Sequence, residues 1–236
     1  MINLVSDKSG LLLDKSFYSG KINAAFEAYG GKYDFCRFYR LDSGSLLMYN
    51  SSAVISGEGD SDELSGFIMM NSPRSVECPK ALGESLSLSG YEKRRRTAFE
   101  MRITPDENGF PEEAVLMKMY DIVSRSFGEI PLDLWYADMS HRIRHGVSKA
   151  YMNGKYACAC LDFIYDNRAY ISQVAVLGEH RGKGFARLLL RQLGNALAPN
   201  VTHIRLWAYD DAADFYRHVG FAEIGEDNIY LKKEIL

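Results

Sequence analysis

The stretch Val174-Ala175-Val176-Leu177-Gly178-Glu179-His180-Arg181-Gly182-Lys183-Gly184-Phe185-Ala186 constrains this chain more than any other. An apolar run ends, a turn follows, and Gly-Lys-Gly opens onto Arg187-Leu188-Leu189-Leu190-Arg191-Gln192-Leu193, so strand, glycine turn and helix come in that order. A helix start leaves backbone N–H groups without internal partners, and its dipole favours negative charge there. Gly182 and Gly184 carry no Cβ, so an anion can approach the backbone and φ can turn positive at little cost. Arg181 and Lys183 add positive charge at the rim.

Two common phosphate loops fail against this stretch. The nucleoside-triphosphate loop needs Gly, four residues, then Gly-Lys-Ser/Thr; here Lys183-Gly184 is out of register with Gly178 and no hydroxyl follows. The dinucleotide fingerprint places a third glycine where this chain has Arg187. The pattern that fits is Arg-x-x-Gly-x-Ala, at Arg181, Gly184 and Ala186, after a Val-x-Val strand. On its own, such a turn is also explained by a structural helix cap.

With 236 residues, 47% of them hydrophobic, the chain can bury a substantial core as one large domain or two small ones. A net charge of −3 gives no global nucleic-acid footprint. No apolar run reaches the roughly 18 residues that span a bilayer, and Met1 to Lys8 lack the form of a signal peptide. Cys36, Cys78, Cys158 and Cys160 show no C-x-x-C spacing, so reduced thiols in a cytoplasmic protein are expected, with no metal.

In the first half, apolar spacing predicts a helix from Phe17 to Tyr29, stopped by Gly30-Gly31. Strands follow at Phe35–Leu41 and Ser45–Met48, joined around Asp42-Ser43-Gly44, and at Ser52–Ser56. A helix through Leu64, Phe67 and Ile68 comes next, then a strand at Ser75–Cys78, a helix from Pro79 to Leu88, and a strand from Tyr91 to Ile103. Four carboxylates, Glu58, Asp60, Asp62 and Glu63, stand where the second half has its glycine turn. Carboxylates repel a diphosphate and compete for the same amides. Lys93-Arg94-Arg95-Arg96 alternates across a strand, so it reads as a solvated edge rather than a nucleic-acid patch.

Thr104 to Pro111 is the best linker. Helices are predicted at Glu112–Phe127 and Leu132–His145, then strands at Ser148–Met152 and Tyr156–Ile164 around an Asn153-Gly154 turn. A strand from Ala169 to Val176 leads into the glycine turn. The helix beyond carries Leu189, Leu193, Ala196 and Leu197 on one stripe. A strand at His203–Ala208 and a short helix at Asp211–Val219 precede Gly220-Phe221. Both halves thus show the same element order, an internal repeat without strong residue identity.

Together, Arg181, Gly184 and Ala186 and the ending Ala212-x-x-Phe215-Tyr216-x-x-x-Gly220-Phe221 resemble motifs A and B of the GCN5-related N-acetyltransferases, the acetyl-CoA-dependent GNAT family. The motif match runs from about Tyr170 to Phe221, and the fold resemblance from about Glu112 onward. It implies an α/β (α+β) fold: a mixed, mostly antiparallel sheet with helices on both faces, in two lobes. Residues 1–104 would be a degenerate GNAT-like lobe and 105–236 the catalytic domain. Acetyl-CoA would lie between splayed strands ending at Val176 and Ala208. Val174, Ala175 and Val176 would pair with its pantetheine arm, and Arg181, Gly182, Lys183, Gly184, Phe185, Ala186 and Arg187 would hold its diphosphate. Tyr216 maps onto the family's proton donor, although it also fits the apolar stripe of its helix.

The resemblance has departures. Tyr209 stands where relatives often have Asn, and Gly178 where they have Pro. No acid lies on Ala169–Val176 or Ile204–Ala208 to act as general base; Asp162 or Glu129 through a water are weak candidates. Trp135, Tyr136, His141 and His145 would lie on the acceptor side, with core packing and surface exposure the plainer account of each. The expectation is an N-acetyltransferase moving acetyl from acetyl-CoA to the primary amine of a small molecule. The alternatives are an acetyltransferase of protein N-termini, a non-catalytic acyl-CoA-binding or sensing module, and a pure interaction protein. The partner is a small-molecule or peptide amine, with no nucleic acid or membrane, and with a homodimer left open.

Overall fold

The computed structural model describes residues 1–128 and 130–233. Contacts divide the chain into two units: Met1–Ala98 with Ala208–Ala213 and Ile224 onward, and Phe99–Trp207 with Asp214–Glu223.

In the first unit the strands are β1 (Asn3–Val5), β2 (Cys36–Leu41), β3 (Ser43–Tyr49), β4 (Ser52–Glu58) and β5 (Ser75–Glu77), with β6 (Tyr91–Arg102) running on into the second unit. Helices α1 (Phe17–Tyr29), α2 (Ser61–Asn71) and α3 (Lys80–Ser85) intervene. In the second unit, β7 (Glu112–Glu113), α4 (Leu116–Phe127), α5 (Leu132–Arg144), β8 (Lys149–Asn153), β9 (Ala157–Tyr165), β10 (Arg168–Val176), α6 (Phe185–Leu197) and β11 (His203–Ala208) follow in order. Helix α7 (Asp210–Val219) and strand β12 (Ala222–Lys232) complete the described chain.

The repeated order becomes repeated topology. Strands β2, β3 and β4 pair antiparallel, and β4 then pairs β5 in parallel over only Ser52–Val54 with Ser75–Glu77. Strands β8, β9 and β10 pair antiparallel, and β10 pairs β11 in parallel over only Arg168–Tyr170 with His203–Arg205. A helix, α2 or α6, makes each parallel crossover, because parallel neighbours need a long connection.

Among the described residues, each unit packs a cluster of buried apolar side chains of its own. Leu41, Leu46, Ile55, Leu64, Ile68, Val76 and Tyr230 form one, and Met119, Ile122, Val123, Trp135, Met139, Cys158, Cys160, Ala175 and Leu177 the other. Strand β12 supplies Tyr230 to the first unit by pairing antiparallel with β5, Ile229 opposite Glu77.

Two local expectations are corrected. The segment from Glu112 is not one helix: Glu112 and Glu113 pair with Met152 and Tyr151, and the helix starts at Leu116. Sheet pairing overrides helical periodicity there. Strand β6 is no solvated edge, since it follows β12 in the hydrogen-bonded order. Arg96 is buried, with Nη1 donating to Glu77 Oε2 and Nη2 to Asp227 Oδ2, both at 2.9 Å. Lys21 Nζ completes Glu77 at 2.5 Å, and the Tyr18 hydroxyl donates to Asp227. Burial by itself would raise the Glu77 carboxyl, but Lys21 and Arg96 outweigh it and bring it down to about 2.

Candidate active site

The site is built where β10 leaves its parallel partner. Pairing ends at Tyr170 with Arg205, although β10 runs to Val176 and β11 continues through Leu206 and Trp207. The strands therefore open toward the glycine turn, leaving one side of β10 from Ile171 onward without a β11 partner among the described residues.

Two bulges shape this opening. On β9, Tyr170 stands opposite Phe163 and Ile171 opposite Leu161, so Asp162 is an extra residue. On β10, Ser172 stands opposite Cys160 and Ala175 opposite Cys158, so Gln173 and Val174 together face Ala159. Gln173 has φ 51°, a left-handed conformation costing on the order of 1–3 kcal/mol for a residue with a side chain. Its surroundings fix it there: Trp135 Nε1 donates to Gln173 Oε1 at 3.0 Å, and Cys158 Sγ donates to its carbonyl at 3.6 Å. Bulges re-aim side chains beside active sites. The alternating sequence gave no sign of this one.

Beyond β10, a single 3-10 turn at Gly178–His180 leads to Arg181. Gly182 and Gly184 have φ 75° and 83°, conformations that glycine alone adopts freely. A Cβ built on either meets no atom within 4 Å, so the space over the loop is open. Gly184 is the N-cap of α6 and offers no side chain to the helix start. The first helical bond is Leu188 N–H to Gly184 carbonyl at 3.0 Å, which leaves the amides of Phe185, Ala186 and Arg187 ahead of it. Arg181, Lys183 and Arg187 are exposed around this tip. Helix α6 is anchored by buried Leu189, Leu190, Leu193 and Leu197, each contributing roughly 2 kcal/mol.

The matching station of the first unit differs chemically. Asp60 caps α2, its Oδ1 accepting from Glu63 N–H at 2.8 Å. A carboxylate already holds an amide that a phosphate would need.

The turn is tied down at its base. Tyr156 stacks on His180 with centroids 3.8 Å apart, and Phe185 lies 5.1 Å from Tyr156. Arg125 of α4 pairs with Glu179 at 3.0 Å. Arg181 Nε donates to the Val176 carbonyl at 3.3 Å, so that carbonyl has a side-chain partner of its own.

Tyr216 is buried, its ring 5.6 Å from both Phe99 and Phe221. Its hydroxyl has no hydrogen-bond partner among the described residues, and burial pushes its pKa up to about 12. Trp135 lies in the core, Tyr136 is exposed, and His141 and His145 stack on each other at 4.1 Å. Asp162 accepts from Ser172 Oγ at 2.8 Å. Glu129 lies outside the described residues. Cys158 and Cys160 are fully buried and their thiols are pushed up by burial, which suits packing rather than reactivity.

Comparison with known proteins fits this geometry. Residues 144–223 match the family model of the acetyltransferase (GNAT) domain. No curated protein matches the chain in sequence. Among solved structures, a GCN5-related N-acetyltransferase from Kribbella flavida superposes with a TM-score of 0.61 at 13% identity, over 92% of this chain and 94% of that one. A GNAT-family acetyltransferase from Colwellia psychrerythraea gives 0.55 at 12%, over 99% and 100%. A GCN5-related N-acetyltransferase from Sphaerobacter thermophilus gives 0.53 at 16%, over 83% and 76%. At such identities the structures speak to the fold alone. The matched GNAT domain thus spans the splayed strands, the glycine turn and Tyr216, and the solved structures share its fold.

Proposed function

We propose that the protein is a cytoplasmic N-acetyltransferase that moves acetyl from acetyl-CoA to a primary amine, first of all the amine of a small molecule. The observation that carries this reading is the uncapped, open start of α6 beside the splayed β10. A diphosphate needs several converging N–H donors and close approach to the backbone, and residues Gly182 to Arg187 offer both. Val174, Ala175 and Val176 would pair with the pantetheine amides as an added strand does; for the Val176 carbonyl, Arg181 would first let go. Residues 105–236 would be the working domain and 1–104 a degenerate lobe, whose Asp60 cap takes the place of an anion.

The acyl donor supplies a thioester, and the protein must place a neutral amine against it and ease the departure of the sulfur. Tyr216 stays protonated at neutral pH and can donate to that sulfur. With its pKa near 12, full transfer to a thiolate of ordinary basicity is uphill by about 5 kcal/mol. Tyr216 thus stabilises the leaving group through a hydrogen bond rather than by surrendering its proton early.

The test is calorimetry with CoA and a thiol-release assay with acetyl-CoA across an amine panel. Micromolar binding and amine-dependent release are expected. Binding without release for any amine would leave an acyl-CoA sensor, and no binding at millimolar CoA would overturn both.

A further inference from the structure

We propose that Ser172 and Asp162 form the proton-accepting pair for the acceptor amine; this rests on the acyl-transfer reading above. Within the splayed segment Ile171–Val176, Ser172 carries the one hydroxyl and no residue is a carboxylate. Ser172 Oγ donates to Asp162 Oδ1 at 2.8 Å, and both side chains are half-buried. A serine that donates its proton to a carboxylate presents lone pairs to an incoming N–H.

The pair sits between the two bulges. Asp162 is the extra residue on β9, and Gln173 and Val174 are the widened station on β10 immediately after Ser172. Ser172 and Cys160 stand opposite each other, and Cys160 packs in the core that also contains Met139 and Trp135 of α5. The pair therefore lies on the α4–α5 face of the sheet, where the family resemblance puts the acceptor.

Asp162 is held from the main chain. Its carbonyl accepts from Ser148 Oγ at 2.7 Å and Arg142 Nη2 at 2.8 Å. Among the described residues, the charged and titratable groups near it include Arg142 and Asp138 of α5, themselves paired at 4.0 Å, and the Cys160 thiol of β9. This anchoring uses the carbonyl, while the carboxylate accepts from Ser172 Oγ and meets the Cys160 thiol.

The step balances as follows. The amine nitrogen bonds to the thioester carbon and the carbon–sulfur bond breaks. The proton shed by nitrogen passes to Ser172 Oγ while the Ser172 proton moves to Asp162 Oδ1. The thiolate, held by Tyr216, takes a proton from water, and Asp162 returns one to water.

The experiment compares S172A, S172T and D162N with the unmodified protein in thiol release from pH 6 to 9, with CoA affinity measured alongside. S172A and D162N should lose about 100-fold in kcat at pH 7, with CoA affinity kept. The loss should shrink toward pH 9, where more of the amine arrives neutral. S172T keeps the hydroxyl and should retain at least a tenth of the rate. Turnover by S172A equal to that of the unmodified protein, or a loss identical at every pH, overturns the pair and leaves acyl transfer standing. CoA binding without release by the unmodified protein overturns both. Should D162N lack a cooperative melt, S172A and S172T decide alone.

Discussion

Trp135 Nε1 lies 3.0 Å from Gln173 Oε1, and this one bond ties helix α5 to the left-handed residue that widens β10. Replacing Trp135 by Phe keeps most of the buried ring and removes the donor. We expect a loss of about 1 kcal/mol, read as a fall in the urea midpoint, together with weaker CoA binding as Gln173 relaxes. Unchanged CoA affinity at reduced stability would show that the bulge holds its shape without the tryptophan.

Gly184→Val separates ligand from fold. Its φ of 83° is strained for a branched residue, yet its Cβ would meet no protein atom within 4 Å. The free protein should lose on the order of 1–3 kcal/mol from backbone strain. CoA affinity, measured where the variant is fully folded, should drop at least tenfold because the side chain fills the anion's space. Equal affinity would move the diphosphate elsewhere.

Tyr216→Phe removes a hydroxyl without a described partner, so stability should change little. We expect kcat to fall about 100-fold while the Kd for CoA holds. A variant with full turnover would return Tyr216 to a packing role against Phe99 and Phe221.

Glu77→Ala strands buried Arg96 with Asp227 alone and should cost about 3–5 kcal/mol. The same carboxylate contributes to acid sensitivity. Its folded pKa, about 2, lies below the ordinary 4.5, so its stabilisation is present above that value and is lost as pH falls toward 2. Denaturant midpoints between pH 5 and pH 2 should decline in the unmodified protein and less steeply in the variant.

Buried thiols weaken the fold at high pH. Burial pushes Cys78 and Cys158 up to about 12 from 9, and Cys160 upward too. Folding then favours the protonated thiol, so stability is full below pH 9 and falls as pH rises from 9 to 12, by at most about 1.4 kcal/mol per pH unit for each group. A thiol reagent at pH 8 should find these three unreactive until denaturant unfolds the chain. Rapid labelling in buffer would refute their burial.

What the sequence disclosed follows local physics. Val174 to Ala186 encodes its strand, turn and helix by composition, and Gly182 and Gly184 adopt the positive φ that two glycines there suggest. His203–Ala208 forms the strand its pattern predicts. What stayed hidden depends on distant pairing. Glu112 and Glu113 leave the helix because Met152 and Tyr151 offer them a strand. Arg96 looks like one of four exposed cations until Glu77 and Asp227 close over it. Asp162 was a candidate by charge alone; Ser172, unremarkable in an apolar run, acquires meaning only from the register that sets it beside Asp162.

Strand β12 carries a lesson about timing. Asp227, Ile229 and Tyr230 complete the first unit, yet they leave the ribosome after nearly all of the second. A nascent chain stopped before Asp227 holds Arg96 against a single carboxylate and leaves β5 bare along one edge. The lobe that begins first should therefore mature last. Protease pulses on stalled chains of increasing length should find residues 1–98 cleavable until β12 emerges; early protection would mean that this lobe closes without its final strand.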